Sequence, residues 1–227
     1  MLPTRTLSTA GRTRKVVLVG GSGFVGSYIA RALIANPANR IVLTSRSPEK
    51  SHASLSHLGN QVLAPVVSDV TSRSSLAEAL VGADVVVSLV GIMHGTDAQF
   101  EAIQWKGAEN VAVEAAKVGA KVILLSAIGS DATSEIAYTR TKGLGEHAVL
   151  AASPDATILR PSLVFGPGDA FFAVSRWSIR FSIELSPLTL HWFTEIRNSC
   201  QVSAFPAMLL WCRTEQQRCP VPARIRR

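Results

Sequence analysis

Short runs of consecutive apolar residues alternate along this chain with longer stretches whose apolar positions recur every three or four residues. The runs KVVLVG (15–20), RIVLTS (40–45), QVLAPVV (61–67), ADVVVSLV (83–90), KVILLS (121–126) and ATILRP (156–161) are rich in β-branched residues and predict strands. The stretches FVGSYIARALIAN (24–36), SRSSLAEALVG (72–82), AQFEAIQWKGAENVAVEAAKVG (98–119) and EIAYTRTKGLGEHAVLAA (135–152) carry helical spacing. Several strands are apolar almost throughout, which indicates burial on both faces of a parallel sheet. Strand–helix alternation of this kind predicts an α/β fold with a doubly wound parallel sheet, here spanning residues 15–172.

The pattern lapses at both ends. Beyond Phe172, residues 173–227 hold three of the four Trp and all three Cys, with no sustained helical or strand period. An ordinary variable C-terminal region is one reading of that tail; a frameshift or retained intron is the sharper one, and a truncated or unstructured segment is expected. The first 14 residues are rich in Arg, Ser and Thr and lack acids, the composition of a mitochondrial targeting segment, with a disordered basic tail as the alternative.

Composition changes this picture in two places. With 227 residues, 47% hydrophobic and 17% charged, the chain can bury a sizeable core. No apolar run reaches the roughly 18 residues of a membrane span. The net charge of +7 resides at the termini: residues 1–15 contribute four basic residues and no acid, and residues 174–227 eight Arg against three Glu. The remaining 11 basic and 13 acidic residues leave the centre slightly acidic, which argues against a nucleic-acid partner. The basic tail is compatible with peripheral contact with an anionic membrane or a neighbour, with a disordered, solvated end as the preferred reading. Cys200, Cys212 and Cys219 match neither a zinc spacing nor a disulfide framework, and no metal is expected.

Candidate chemistry begins with VVLVGGSGFVGSYIARAL, where Gly20, Gly23 and Gly26 leave a predicted strand and open a predicted helix. In that context a glycine triplet is a dinucleotide fingerprint, because it permits a tight turn and close approach of a pyrophosphate to a helix N-terminus. Ser22 and Phe24 belong to the same turn. About twenty residues later a site selective for NAD would place a carboxylate against the ribose; this chain has Ser45 and Arg46, with Lys50 nearby, so NADP(H) is expected over NAD(H). Asp69 and Val70, after the third strand, are placed for adenine, or Asp69 opens the following helix. Val90 and Gly91 close the fourth strand at the same edge. Tyr138 and Lys142 lie four apart, on one helix face; an ammonium there lowers the pKa of a phenol, as proton transfer requires. The same pair also serves as a cofactor cradle. His94, after the fourth strand, is a candidate acid or base, with a solvated loop residue as the preferred reading; Asp131 and Glu135 are read as favouring the positive end of the following helix, and Trp105 as core or partner contact.

The glycine pattern, Asp69-Val70, Tyr138-x-x-x-Lys142 and LRPSLVFGPGD (159–169) together resemble the extended and atypical short-chain dehydrogenase/reductase superfamily, a group of Rossmann-fold proteins. SAIGSD, AYTRTKGLGE and ILRPSLVFGPGDAFF resemble one branch of it, the proteins like the mitochondrial complex I alpha-subcomplex subunit nine. The resemblance covers about Lys15 to Phe172. It implies that Gly20, Gly23, Gly26 and Arg46 hold coenzyme phosphates, that Tyr138 and Lys142 flank the nicotinamide ribose, and that Arg160, Pro161 and Ser162 lie beside the nicotinamide. It further implies a mitochondrial NADP(H)-binding protein on the matrix side of the inner membrane, with a structural or assembly role among respiratory complex I subunits.

The chain departs from the superfamily pattern in two respects. Active members place Ser or Thr two residues after the serine that ends strand five; here Ser126 is followed by Ala127 and Ile128, which leaves Ser126 or Ser130 as the substitute hydroxyl. The family's substrate subdomain is expected to be absent or aberrant in residues 173–227. The alternatives to a structural role are an NAD(P)-dependent oxidoreductase or epimerase, in quinone or lipid metabolism, with catalytic Tyr138, Lys142 and Ser126, and a non-functional fragment.

Overall fold

The computed structural model describes residues 13–162, Val164 and the backbone of residues 211–213. The expected targeting segment, apart from Thr13 and Arg14, and nearly all of the C-terminal tail therefore lie outside the described residues, and Arg14 belongs to the first strand. By contact the chain divides at Pro161: Met1–Pro161 with Trp211–Arg227 form one unit and Ser162–Leu210 another. Of the second only Ser162 and Val164 are described, so the structure that follows is that of the first.

Its strands are β1 (Arg14–Val19), β2 (Asn39–Ser45), β3 (Val66–Val67), β4 (Val85–Ser88), β5 (Lys121–Leu125), β6 (Thr157–Pro161) and β7 (Trp211–Arg213). They form one sheet in the order β3-β2-β1-β4-β5-β6-β7. Strands β1 to β6 are parallel, and β7 adds antiparallel to β6 through Leu159–Pro161. Strand order reverses between β1 and β4, which opens a crevice at the carboxyl edge where ligands of such sheets bind.

Alternation along the strands sorts the core into two layers. Val17, Val19, Val42, Val86, Val122 and Ile158 face one side, packed with Leu76 and Leu80, Val111 and Ala115, and Val149. Those partners belong to α3 (Arg73–Ala79) and the residue after it, α5 (Gly107–Lys117) and α6 (Ala137–Ala152). Val16, Leu18, Ile41, Leu43 and Val87 face the other side against Ala30 and Leu55, from α1 (Phe24–Ile34) and α2 (Glu49–Ser56). Burial on both faces explains why these strands read as continuous apolar runs.

Three elements differ from the sequence expectation. Helix α2 shows no apolar period because it buries a single residue, Leu55. The third strand shrinks to Val66–Val67 plus one bridge, Ile41 to Val62, since Pro65 between them has no amide to donate. The long helix over 98–119 is α4 (Asp97–Phe100), a π-helical stretch Glu101–Lys106, and α5 in succession. Thr96 and Gln99 form a reciprocal capping box at its start. The wider π turn coincides with close packing on both sides. A Cβ on Gly107 would lie 2.7 Å from Val70 Cγ2, and one on Gly145 of α6 would lie 2.6 Å from the Gln104 carbonyl oxygen.

Candidate functional site

The glycine turn is built for backbone rather than side chains. Gly20 has φ +80°, and a Cβ there would sit 2.9 Å from Val90 Cγ2, so both conformation and space call for glycine. The Gly20 amide donates to the Thr44 carbonyl at 2.7 Å, fixing the turn to β2. Gly26 lets α1 press on the turn: a Cβ there would be 2.5 Å from the Gly21 carbonyl oxygen. Gly23 is different. It is the N-cap of α1, no side chain caps it, and an added Cβ would meet only the Gly20 oxygen at 3.5 Å. Glycine at this position keeps the first-turn amides open to a ligand, at the positive end of the helix dipole. Ser51 Oγ of α2 donates to the Ser22 carbonyl at 3.1 Å and steadies the outer rim.

A cleft of about 730 Å³ runs from this turn along the carboxyl edge, a volume that suits a dinucleotide or a large part of one. Gly20, Ser22, Gly23, Val90 and Gly91 line its centre. Ser45, Arg46, Asp69 and Val70 line the end beyond β2 and β3. The sequence-predicted cofactor residues of that half therefore meet in one place. Asp69 Oδ1 accepts from the Thr71 amide at 2.9 Å and from Thr71 Oγ1 at 2.8 Å; these bonds, and then Arg46, hold its carboxyl below the ordinary range. The N-cap of α3 is Ser72, so Asp69 serves the turn before the helix and the cleft wall rather than the helix start. Val70 is buried, and its carbonyl accepts from Asn110 Nδ2 at 2.9 Å. Exposed Arg46 lines this end of the cleft; Lys50, also exposed, lies on α2 outside the lining.

Helix α6 carries Tyr138 and Lys142, neither of which is among the residues that line the cleft. Lys142 is buried, and its Nζ donates to the Leu125 carbonyl at 3.2 Å. Burial lowers its pKa to about 8, against an opposing pull from Glu146 one turn on. Tyr138 is half-buried, edge-on to Phe100 with ring centroids 6.3 Å apart. The expectation that the ammonium lowers the phenol is corrected: burial raises the Tyr138 pKa above its ordinary value. Lys142 reaches the cleft wall at Gly91, where a Cβ would lie 3.1 Å from Nζ.

Ser126 is placed elsewhere. Its hydroxyl is buried, donates to Glu146 Oε1 and shares a 3.0 Å bond with Ser130 Oγ. Glu146 in turn accepts from Arg160 Nε at 2.9 and 3.1 Å and from Arg160 Nη2. Arg160 thus spends its guanidinium on a carboxylate inside the fold. Ser126, Ser130 and Glu146 form a buried polar tie between β5 and α6 to which β6 contributes Arg160. Neither Ser126 nor Arg160 lines the cleft. Phe24 opens α1 edge-on to Tyr28, Gly26 lies beneath the turn, and Pro161 is buried at the end of β6 with Ser162 following it.

The smaller features carry little chemistry. His94 is an exposed loop residue, and Asp131 bonds to Thr133 in a loop ahead of α6, whose first turn holds no acid. Trp105 is part-exposed under the Lys106 ammonium, 4.3 Å from the ring centroid. Gln104 was not anticipated from sequence. It is buried, its Nε2 donates to Thr141 Oγ1 at 3.2 Å, and its Oε1 has no partner among the described residues.

A parallel sheet in the order 3-2-1-4-5-6, with a glycine turn feeding a helix at its switch point, defines a dinucleotide-binding protein of Rossmann type. The chain belongs to the NAD dependent epimerase/dehydratase family, whose profile matches residues 16–181, past the Phe172 at which the resemblance was expected to stop. It is similar to a ceramide reductase of Caulobacter vibrioides, 32% identical over 155 residues that make up 68% of this chain and 47% of that protein. It is also similar to the mitochondrial NADH dehydrogenase [ubiquinone] 1 alpha subcomplex subunit 9 of Arabidopsis thaliana, 31% identical over 165 residues, 70% of this chain and 40% of that one. The chain thus spans less than half the length of either relative. At the level of fold it matches the UDP-glucuronic acid 4-epimerase of Bacillus cereus, solved in complex with NAD, with a TM-score of 0.59 at 21% identity over 73% of this chain and 64% of that one. Glycine turn, open helix N-terminus and cleft volume all fit a nicotinamide dinucleotide, the coenzyme of the family.

Proposed function

We propose that this is a mitochondrial NADP(H)-binding protein that keeps its coenzyme as a structural element, in an accessory or assembly role at NADH:ubiquinone oxidoreductase. The observation that carries this reading is the engagement of Ser126. A reductase of this kind polarises its substrate with a hydroxyl beside the tyrosine, and here that hydroxyl is committed to Glu146, while Ile128 stands exposed where a second hydroxyl would be. Tyr138 and Lys142 remain to hold ribose hydroxyls, which they do whether or not hydride moves. Arg46, with no carboxylate beside it on β2, supports the 2′-phosphate and hence NADP(H). The likeness to a complex I subunit supports the partner and the compartment, and the basic residues outside the core suit peripheral contact with the inner membrane. No helix among the described residues is long and apolar enough to cross it.

A second reading, an NAD(P)-dependent oxidoreductase or epimerase, is favoured by the retained Tyr138-x-x-x-Lys142 pair and by the likeness to a ceramide reductase, which brings lipid substrates into consideration. Bound NADP(H) supplies the hydride donor or acceptor for such a reaction. Fractionation of mitochondrial complexes separates the two readings. Comigration with complex I, with the dinucleotide retained and unchanged after incubation with quinones and long-chain ketones, is the expected outcome. A free protein whose NADPH consumption disappears in Tyr138→Phe contradicts the accessory role.

A further inference from the structure

In a parallel sheet every strand starts at one edge and every returning helix ends there. That amino edge lies opposite the cleft, and here it gathers cations. The Asp84 amide donates to the Lys15 carbonyl at 2.9 Å and the Lys121 amide to the Asp84 carbonyl at 3.0 Å, which joins the starts of β1, β4 and β5. Arg40 of β2 stands in register with Lys15, and Arg14 precedes it. Lys117 adds a further charge from the last turn of α5; it shares Glu114 with Arg73, so that group keeps a net positive charge. Arg14, Lys117 and Lys121 are exposed. The acids of this rim are Glu78, Asp84 and Asp155, and Asp84 turns its carboxylate inward to accept from the Lys15 amide at 2.8 Å. Between the cations stand two turns of one shape, Leu-Val-Gly-Ala-Asp (80–84) and Lys-Val-Gly-Ala-Lys (117–121), with φ +65° at Gly82 and +71° at Gly119. Each leaves its valine outside, Val81 at 62% and Val118 at 39% exposure. Lys15 Nζ donates to the Val81 carbonyl at 2.7 Å and holds the first turn to β1.

Connectivity brings more charge to the same edge. Strand β1 starts there, so residues 1–13, with Arg5 and Arg12 and no acid, precede the rim. Strand β7 runs against β6, from Pro161 toward Leu159, so residues 214–227, with four Arg and one Glu, follow from an end that points the same way. Cations attract anionic headgroups, and exposed apolar side chains among them enter the boundary beneath; together they make an interfacial anchor. An acidic protein surface calls for the cations but gives no role to the two valines. We propose that the amino edge of the sheet is a docking face for a bilayer rich in anionic phospholipids, with Val81 and Val118 at the contact and the cleft turned to the aqueous side. This inference rests on the membrane-peripheral part of the reading above, to which it assigns a face and an orientation, and owes nothing to the coenzyme assignment.

The test is flotation of the full-length chain with vesicles of phosphatidylcholine, alone or with about 30% phosphatidylglycerol. Wild type is expected on the anionic vesicles only, and added salt releases it by screening. Arg14→Gln combined with Lys121→Gln removes two rim charges, each expected to weaken binding about fivefold. Lys50→Gln combined with Lys106→Gln removes the same charge elsewhere and leaves the affinity within about twofold. Val81→Ser combined with Val118→Ser weakens vesicle binding severalfold at unchanged charge. Absence of wild type from the anionic vesicles overturns the proposal. So does an equal loss in the two charge pairs, which assigns binding to net charge rather than to a face. No effect of the valine pair, or retention on polyglutamate as tight as on the vesicles, points to an acidic protein surface and overturns the bilayer. Should a variant fail to fold, amide hydrogen exchange of wild type decides: vesicles slow exchange in residues 80–84 and 117–121 if the proposal holds, and protection confined to the carboxyl edge contradicts it. NADPH titration of the same preparations reports on the cleft separately, so vesicle binding without NADPH binding defeats the coenzyme reading alone.

Discussion

The glycines of the first turn have distinct physical duties, and substitution separates them. In Gly26→Ala the new Cβ meets backbone 2.5 Å away, so α1 must shift off the turn; thermal unfolding is expected several degrees lower and dinucleotide binding is lost with it. In Gly23→Ala the Cβ meets only an ordinary contact at 3.5 Å, so the fold survives with a change within about 1 kcal/mol, while the methyl obstructs the approach to the α1 amides and coenzyme affinity falls at least tenfold. Equal losses of stability in the two variants contradict this division. Lys142 offers a pH signature. Its pKa is about 8 in the folded chain against 10.5 ordinarily, so between those values the unfolded chain holds a proton that the folded chain has released. Stability contributed by this residue therefore rises with pH across that window, by up to about 3 kcal/mol, and is flat below it. Urea titrations at about pH 7 and about pH 10 should show this increment in wild type and its absence in Lys142→Met; the same increment in both speaks against burial as the cause. Residues defined by local spacing were legible in sequence, as Gly20, Gly23, Arg46 and Asp69 show by lining one cleft. Gln104 was not, because its burial and its bond to Thr141 depend on α6, more than thirty residues on. The engagement of Ser126 was hidden for the same reason: its partner Glu146 is twenty residues away on α6.

At the scale of elements, α6 is fixed to the sheet by one polar cluster. Glu146 ties this helix to Ser126 at the end of β5 and to Arg160 of β6, and both Tyr138 and Lys142 ride on its first two turns. Glu146→Ala removes the carboxylate that accepts from both the buried Ser126 hydroxyl and the part-exposed Arg160 guanidinium. The expected cost is about 2–4 kcal/mol in chemical denaturation, toward the low end of the range for broken buried pairs because Arg160 is 37% exposed. A cost under about 0.5 kcal/mol shows that the tie does not hold the helix. Five of the six expected strands and three of the four expected helices appear nearly as the apolar pattern drew them, because two-sided burial writes β-branched runs into the sequence. The failures have local causes. Helix α2 buries only Leu55 and so has no stripe to read, Pro65 divides the third strand, and the π turn leaves no mark in apolar spacing, which its neighbours Gly107 and Gly145 register only once the packing is known.

For the whole molecule, charge, fold and family combine into one description. The core is a slightly acidic Rossmann sheet of the epimerase/dehydratase family, the excess of arginine lies toward the two ends of the sequence, and exposed Arg46 lines the cleft beyond β2. A coenzyme bound to the native state alone stabilises it by mass action, so a chain that holds NADP(H) structurally should melt markedly higher in its presence. The most direct measurement is calorimetric titration of the purified full-length chain with NADPH and NADH, repeated on Arg46→Ala. The account predicts one site, NADPH at least tenfold tighter than NADH, and loss of that margin in the variant through weaker NADPH with NADH unchanged. Binding of neither dinucleotide at millimolar concentration contradicts the central claim, and tighter NADH than NADPH contradicts the assignment of Arg46.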